Sequence, residues 1–153
     1  MKLLSPKYDV VFHALFREEN KELLSKMLTA VVQEKINVIS IDKNRYVDIK
    51  DSVEKLGIMD LRAELENKET CNIEIQLNYL PDMVGRMLYY SDNCYTRQLK
   101  KGNEYESLKR VISILIVDYT LEELKDFTKP VTKWRYREEE ENEKASGQKN
   151  EKI

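Results

Sequence analysis

Between Met59 and Leu77 the chain alternates apolar and polar residues with a period of two. Met59, Leu61, Ala63 and Leu65 alternate with Asp60, Arg62, Glu64 and Glu66. After the polar turn Asn67-Lys68-Glu69, Cys71, Ile73, Ile75 and Leu77 alternate with Asn72, Glu74 and Gln76. Side chains two apart on a strand share a face, so this pattern predicts a β-hairpin with one apolar and one acidic face. If the loop holds an odd number of residues, Asp60 and Glu74 fall on the same face, directly opposite or one pair apart, within roughly 4.5–8 Å.

Upstream, Ser5-Pro6 predicts a helix start, with Ser5 as N-cap and Pro6 at the first helical position. That helix carries Val10, Val11, Ala14 and Leu15, with Phe12 and Phe16 four apart. A second helix over about residues 21–33 places Leu23, Leu24, Met27, Leu28 and Val31 on one stripe. Residues 36–41 read as a strand, and 46–53 are ambiguous. Pro81 opens a third helix reaching to about Lys100, where Lys101-Gly102 offers a glycine for a left-handed cap. The run V-I-S-I-L-I-V within 109–118 predicts a strand buried on both faces. Residues 121–127 suggest one short helix, and 145–153 have the polar composition of a disordered tail. The order is α-α-β-(β)-β-β-α-β, which predicts an α/β fold with a mixed sheet flanked by helices.

The length of 153 residues fits one domain, and 41% hydrophobic residues suffice for a core. No apolar run reaches transmembrane length, and the opening six residues lack the apolar stretch of a signal peptide. Two cysteines, Cys71 and Cys94, make no disulfide framework, so the expected compartment is the cytoplasm, with reduced thiols and no membrane association. Cys71, on an apolar strand face, reads as a small core residue. Two separated cysteines also argue against zinc, and no G-x-x-x-x-G-K motif supports nucleotide hydrolysis. The single histidine, His13, reads as a surface or rim residue and cannot build a Ser/His/Asp or Cys/His constellation. The net charge of −2 is unevenly spread: residues 138–153 hold six acids against three lysines, whereas 86–110 hold six bases against three acids. A basic segment on a near-neutral body can meet a phosphate backbone, or can be an ordinary charged helix face.

Five segments in order carry a resemblance: S-P-K-Y-D-V-V-F-H-A-L-F, N-I-E-I-Q, R-M-L-Y-Y, Y-T-R-Q-L-K-K-G-x-x-Y-x-x-L and V-I-S-I-L-I. From about Leu4 to Leu121 the chain resembles the Rpn family, the recombination-promoting nucleases also described as transposases, within the PD-(D/E)XK nuclease superfamily. The resemblance implies a restriction-endonuclease-like core and metal-dependent hydrolysis of phosphodiesters in double-stranded DNA. It matches Asp60 to the first metal-binding aspartate and Glu74 to the acid of the D/E-x-K element. Gln76 stands where the superfamily usually has lysine, as it does in the Rpn branch, and Asp9 matches an early acidic position.

The implied chemistry is Mg²⁺ (or Mn²⁺) held by Asp60, Glu74 and the Ile75 carbonyl, since a hard cation takes oxygen ligands. Glutamine at 76 can hydrogen-bond a water but carries no charge and cannot act as a base. The catalytic set is thus Asp60, Glu74, Gln76 and Asp9. Arg86, Arg97, Lys100 and Lys101, with Tyr89 and Tyr90 among them, are the candidate DNA contacts. The plainer reading makes Glu74 and Gln76 the solvated face of an edge hairpin, and Tyr89 and Tyr90 half-buried core residues beside Met83, Met87 and Cys94.

Residues 1–130 are expected to form the nuclease-like core. Residues 131–153 read as a charged tail, beginning with the start of a further family segment at 132–138. The chain thus looks C-terminally truncated. The alternative function is a catalytically inactive remnant acting as a DNA-binding or interaction module, as a homo-oligomer or paired with a full-length relative.

Overall fold

The computed structural model describes residues 5, 8–43 and 61–135, the side chains of Asp9 and Lys43 excepted. Asp60 and the ambiguous stretch 46–53 lie outside the described residues, as does the tail from 136. The chain divides into two units, Met1–Glu122 and Glu123–Ile153. The first holds helices α1 (Asp9–Leu15), α2 (Lys21–Val32) and α3 (Met83–Thr96), and strands β1 (Val38–Lys43), β2 (Leu61–Leu65), β3 (Thr70–Gln76) and β4 (Val111–Val117). The strands form one mixed sheet in the order β1-β2-β3-β4. β1-β2 and β2-β3 are antiparallel, and β3-β4 is parallel across the α3 crossover.

The hairpin forms as its alternation dictates. Leu61, Ala63 and Leu65 are buried on one face, while Glu64 on the other is exposed. Leu61 pairs with Ile73 and Ala63 with Cys71, and the Leu65 N–H donates to the Glu69 carbonyl at 2.8 Å. The loop is therefore Glu66–Lys68, an odd number of residues, turned by left-handed Asn67 (φ 69°) and Lys68 (φ 63°). A register shift between Val38 and Ser40 inserts one extra residue into β1, so Val38 and Ile41, three apart, both reach the core.

The core lies between α1, α2 and one sheet face. Phe12, Phe16, Leu24 and Leu28 pack with Ile36, Val38, Leu61, Ala63, Leu65, Cys71 and Ile73. The Phe12 and Phe16 rings meet edge to face at 4.9 Å. Two hydroxyls one turn apart on α2 hold the chain leading into β1. The Val38 N–H donates to Ser25 Oγ (2.9 Å) and the Ile36 N–H donates to Thr29 Oγ1 (3.0 Å).

Several boundaries differ from the sequence expectation. α1 starts at Asp9 with Tyr8, not Ser5, as its cap, and Val10 is exposed. The first strand starts at Val38, two residues late. α3 ends at Thr96, and Gly102 (φ 93°) serves the following turn instead of the helix end. The expected helix at 121–127 is a single turn, Glu122–Leu124. β4 is half-buried along its whole length, because it is an edge strand of the sheet among the described residues. No described helix is long and apolar enough to cross a membrane. In the second unit Trp134 Nε1 donates to Thr132 Oγ1 at 3.2 Å.

Burial pushes the Cys71 thiol up to about 12, Arg110 opposing weakly. Both cysteines are free. The thiolate is the reactive form, so a thiol reagent at pH 8 should label half-buried Cys94 and leave Cys71 untouched until denaturant is added. A thiol held protonated by the fold contributes stability that is full below its unfolded pKa and is lost as pH rises from about 9 toward 12. Native-state labelling of two thiols would contradict this placement.

Candidate functional site

The second sheet face is polar, and α3 covers part of it. In β3, Thr70, Asn72, Glu74 and Gln76 share this face. Register adds Arg62 and Glu64 from β2, Ser40 and Asp42 from β1, and Ser113 and Leu115 from β4. α3 runs antiparallel to β3, as a crossover between parallel strands must. Arg86 of its first half meets Glu74, and Cys94 of its last turn meets Asn72.

Glu74 is buried, at 5% exposure, on a strand with neighbours on both sides. The expectation of a solvated edge hairpin is thus corrected for Glu74: α3 and β4 enclose it. Its Oε1 lies 3.8 Å from an Arg86 guanidinium nitrogen. Arg86 in turn donates to Tyr90 Oη at 3.3 Å, with its guanidinium carbon 5.8 Å from the ring centroid. Tyr90 is buried at 6%, whereas Tyr89 is 43% exposed, which separates the two tyrosines into a core residue and a surface one. Burying a carboxylate is costly even beside a cation, so a sequence that keeps one on an inner strand is not optimised for stability alone.

The other expected residues fall in different places. Gln76 ends β3 half-buried, and its Nε2 donates to the Asn78 carbonyl at 3.0 Å. The Thr70 N–H bonds the Arg110 carbonyl and the Asp118 N–H bonds the Gln76 carbonyl, so even-numbered residues of β3 turn their backbone toward β4. The odd-numbered ones, Ile75 among them, turn theirs toward the β2 side. Asp9 stands first in α1, and its side chain lies outside the described set. Arg97 caps the C-terminal end of α3, with Lys100 and Lys101 just beyond, all exposed. Eleven residues of helix separate Arg97 from Arg86, about 16 Å. The structure therefore brings Arg86 to Glu74 but sets Arg97, Lys100 and Lys101 at the opposite end of α3. There a groove of about 330 Å³ is lined by Ser40, Asp42, Arg62, Glu64, Lys68, Thr70 and Gln98.

Two neighbours of Glu74, Asn72 and Ser113, were not among the site residues expected from the sequence. Asn72, fully buried, donates from Nδ2 to Cys94 Sγ at 3.1 Å. Its Oδ1 and the Ser113 Oγ, paired in register, are buried without hydrogen-bond partners among the described residues. The signal was present in the alternation, since Asn72 precedes Glu74 by two. Among the described residues no group of three or more His, Cys, Asp and Glu could hold a metal ion.

Residues 6–148 match the family described as PD-(D/E)XK nuclease family transposase. No curated protein and no solved structure matches the chain.

Proposed function

Because the chain belongs to the PD-(D/E)XK nuclease family of transposases, we propose that it is a metal-dependent DNA endonuclease serving recombination of mobile elements in the cytoplasm. The observation that supports this most is the Glu74 carboxylate, buried on an inner strand with a guanidinium 3.8 Å away.

The donor set suits a hard cation such as Mg²⁺ or Mn²⁺. Mg²⁺ commonly takes one or two carboxylates and fills its remaining positions with water and substrate phosphate. Asp60 and Glu74 would hold it, with the Ile75 carbonyl. Leu61 and Ile73 form a hydrogen-bonded pair, by the same parity that joins Leu65 to Glu69. By the alternation of the sequence alone, the acid at position 60 is expected on the face that carries Glu74. A divalent cation bound there supplies charge neutralisation at phosphorus and a more acidic water.

The chain's own groups do the rest. Gln76 can accept a hydrogen bond from the attacking water and so orient it, without removing its proton. Arg86 places a permanent positive charge beside Glu74, where the superfamily's lysine would have brought one. Arg97, Lys100 and Lys101 bind flanking phosphates: about 16 Å from Arg86 is close to five base steps of roughly 3.4 Å along one strand.

The test is plasmid nicking with Mg²⁺ or Mn²⁺. Cleavage is expected with either ion, and its loss is expected with EDTA and in Asp60→Ala. Gln76→Ala should slow cleavage roughly tenfold, the scale for losing a hydrogen bond that orients a metal-site group. Folded protein that cuts with neither metal would leave a non-catalytic DNA-binding or interaction module.

A further inference from the structure

We propose that the outer edge of β4 is a self-association surface, on which β4 of a second copy of this chain pairs antiparallel about a two-fold axis at Ile114.

The hydrogen-bonding groups of that edge can be assigned by parity. The Arg110 carbonyl and the Asp118 N–H both bond β3, so even-numbered residues of β4 face inward. Val111, Ser113, Leu115 and Val117 then turn N–H and C=O outward, and no described strand pairs with them. Lys109, the preceding odd residue, shows what that edge accepts. Its N–H donates to Gln98 Oε1 (2.7 Å) and its carbonyl accepts from Gln98 Nε2 (2.9 Å). One side-chain amide from the end of α3 thus imitates a neighbouring strand for a single residue, and the pairing surface starts beyond it, at Val111.

Edges left open in this way are normally blunted by charge, proline or a bulge. The opposite edge strand, β1, has a bulge at Val38–Ser40 and the charged residues Asp42 and Lys43. β4 has none of these over seven residues, and every one of them is half-buried. Its sequence, V-I-S-I-L-I-V, reads nearly the same in both directions. A two-fold at Ile114 sets Val111 against Val117 and Ser113 against Leu115, each twice by symmetry. All four are outward-facing residues, so these become the hydrogen-bonded pairs. Ile112 meets Ile116 on the apolar face, and the half-exposed isoleucines complete their burial against their own kind. Moving the axis one residue back brings Lys109, already held by Gln98, against Val117; moving it forward sets Asp118 against Ile112. Charge contributes little at the ends, because Glu34 (2.7 Å) and Glu69 (3.0 Å) already hold Arg110. Backbone pairing and apolar contact decide the association.

Two measurements on the full chain test this without reference to catalysis. Light scattering after size exclusion at about 100 μM should give twice the monomer mass of 18.2 kDa. Val111→Lys, the charge that edge strands use against pairing, should raise the dimer dissociation constant at least about tenfold while its circular dichroism stays native. Ile114→Cys should form an intermolecular disulfide under mild oxidation, because the Cα atoms of a non-hydrogen-bonded pair sit about 4.5 Å apart, within disulfide reach. The wild-type chain should not, since Cys71 is buried and the half-buried Cys94 lies on α3 against Asn72, away from the β4 edge. A monomer at that concentration, without the Ile114→Cys crosslink, overturns the proposal. So does a dimer that is indifferent to Val111→Lys and fails to crosslink.

Discussion

Glu74→Ala should lower metal-dependent nicking by at least about a hundredfold, since altering mere supports of metal ligands already costs 10–100-fold. The protein should stay folded. Glu74 contributes little to stability: its carboxylate is buried at 5% exposure against a guanidinium that is itself 38% exposed and so partly satisfied by water. Glu74→Gln sharpens the point, because it keeps shape and hydrogen-bonding capacity but removes the charge. Its urea midpoint should equal or exceed that of the wild type while its cleavage falls with that of the alanine variant. Arg86 retains Tyr90 in both variants. Rates within threefold of wild type in Glu74→Gln would remove Glu74 from the reaction. A collapsed midpoint would instead make it a structural residue of the α3 interface.

The hairpin was legible because its information is local. Alternation fixed which described residues share a face, and the loop Glu66–Lys68 has the odd length that the sequence reading left as a condition. The burial of Glu74 was not legible, because it depends on residues 12 to 20 positions later. Only the crossover that lays α3 antiparallel across β3 brings Arg86 to Glu74 and Cys94 to Asn72. The same geometry carries Arg97 and Lys101 away from Glu74, although sequence spacing alone groups them with Arg86. For β4 the apolar run stated that the strand prefers to be covered on both faces. It could not state how many neighbours the sheet supplies, and the described sheet supplies one. The starts of α1 and α3 were misplaced for a smaller reason: Tyr8 and Asp82 stand at caps without any side-chain cap hydrogen bond, so the usual capping signal had nothing to mark.

Leu28→Ala should cost about 3–4 kcal/mol, the range for a fully buried leucine whose cavity cannot collapse. Leu28 has no exposed surface and sits on α2 among Leu24, Ile36, Val38 and the sheet residues Leu61 and Ile73. Collapse is resisted on both sides. The sheet is tied by its own ladders, and α2 is pinned at two points to the chain entering β1 through Ser25 and Thr29. Domains of this size hold about 5–15 kcal/mol in total, so the variant should sit near its unfolding threshold at 37 °C. Leu23→Ala, on the same helix but 45% exposed, should cost under about 1 kcal/mol. Urea unfolding with an unchanged slope measures both. A cost below about 1 kcal/mol for Leu28→Ala would mean that α2 does not pack as described. The variant also separates fold from chemistry: at low temperature its folded fraction should cut at the wild-type rate, since α2 packs on the sheet face opposite Glu74. Glu74→Gln should do the reverse, stable and inactive, and that opposition would assign stability to one face of the sheet and reaction to the other.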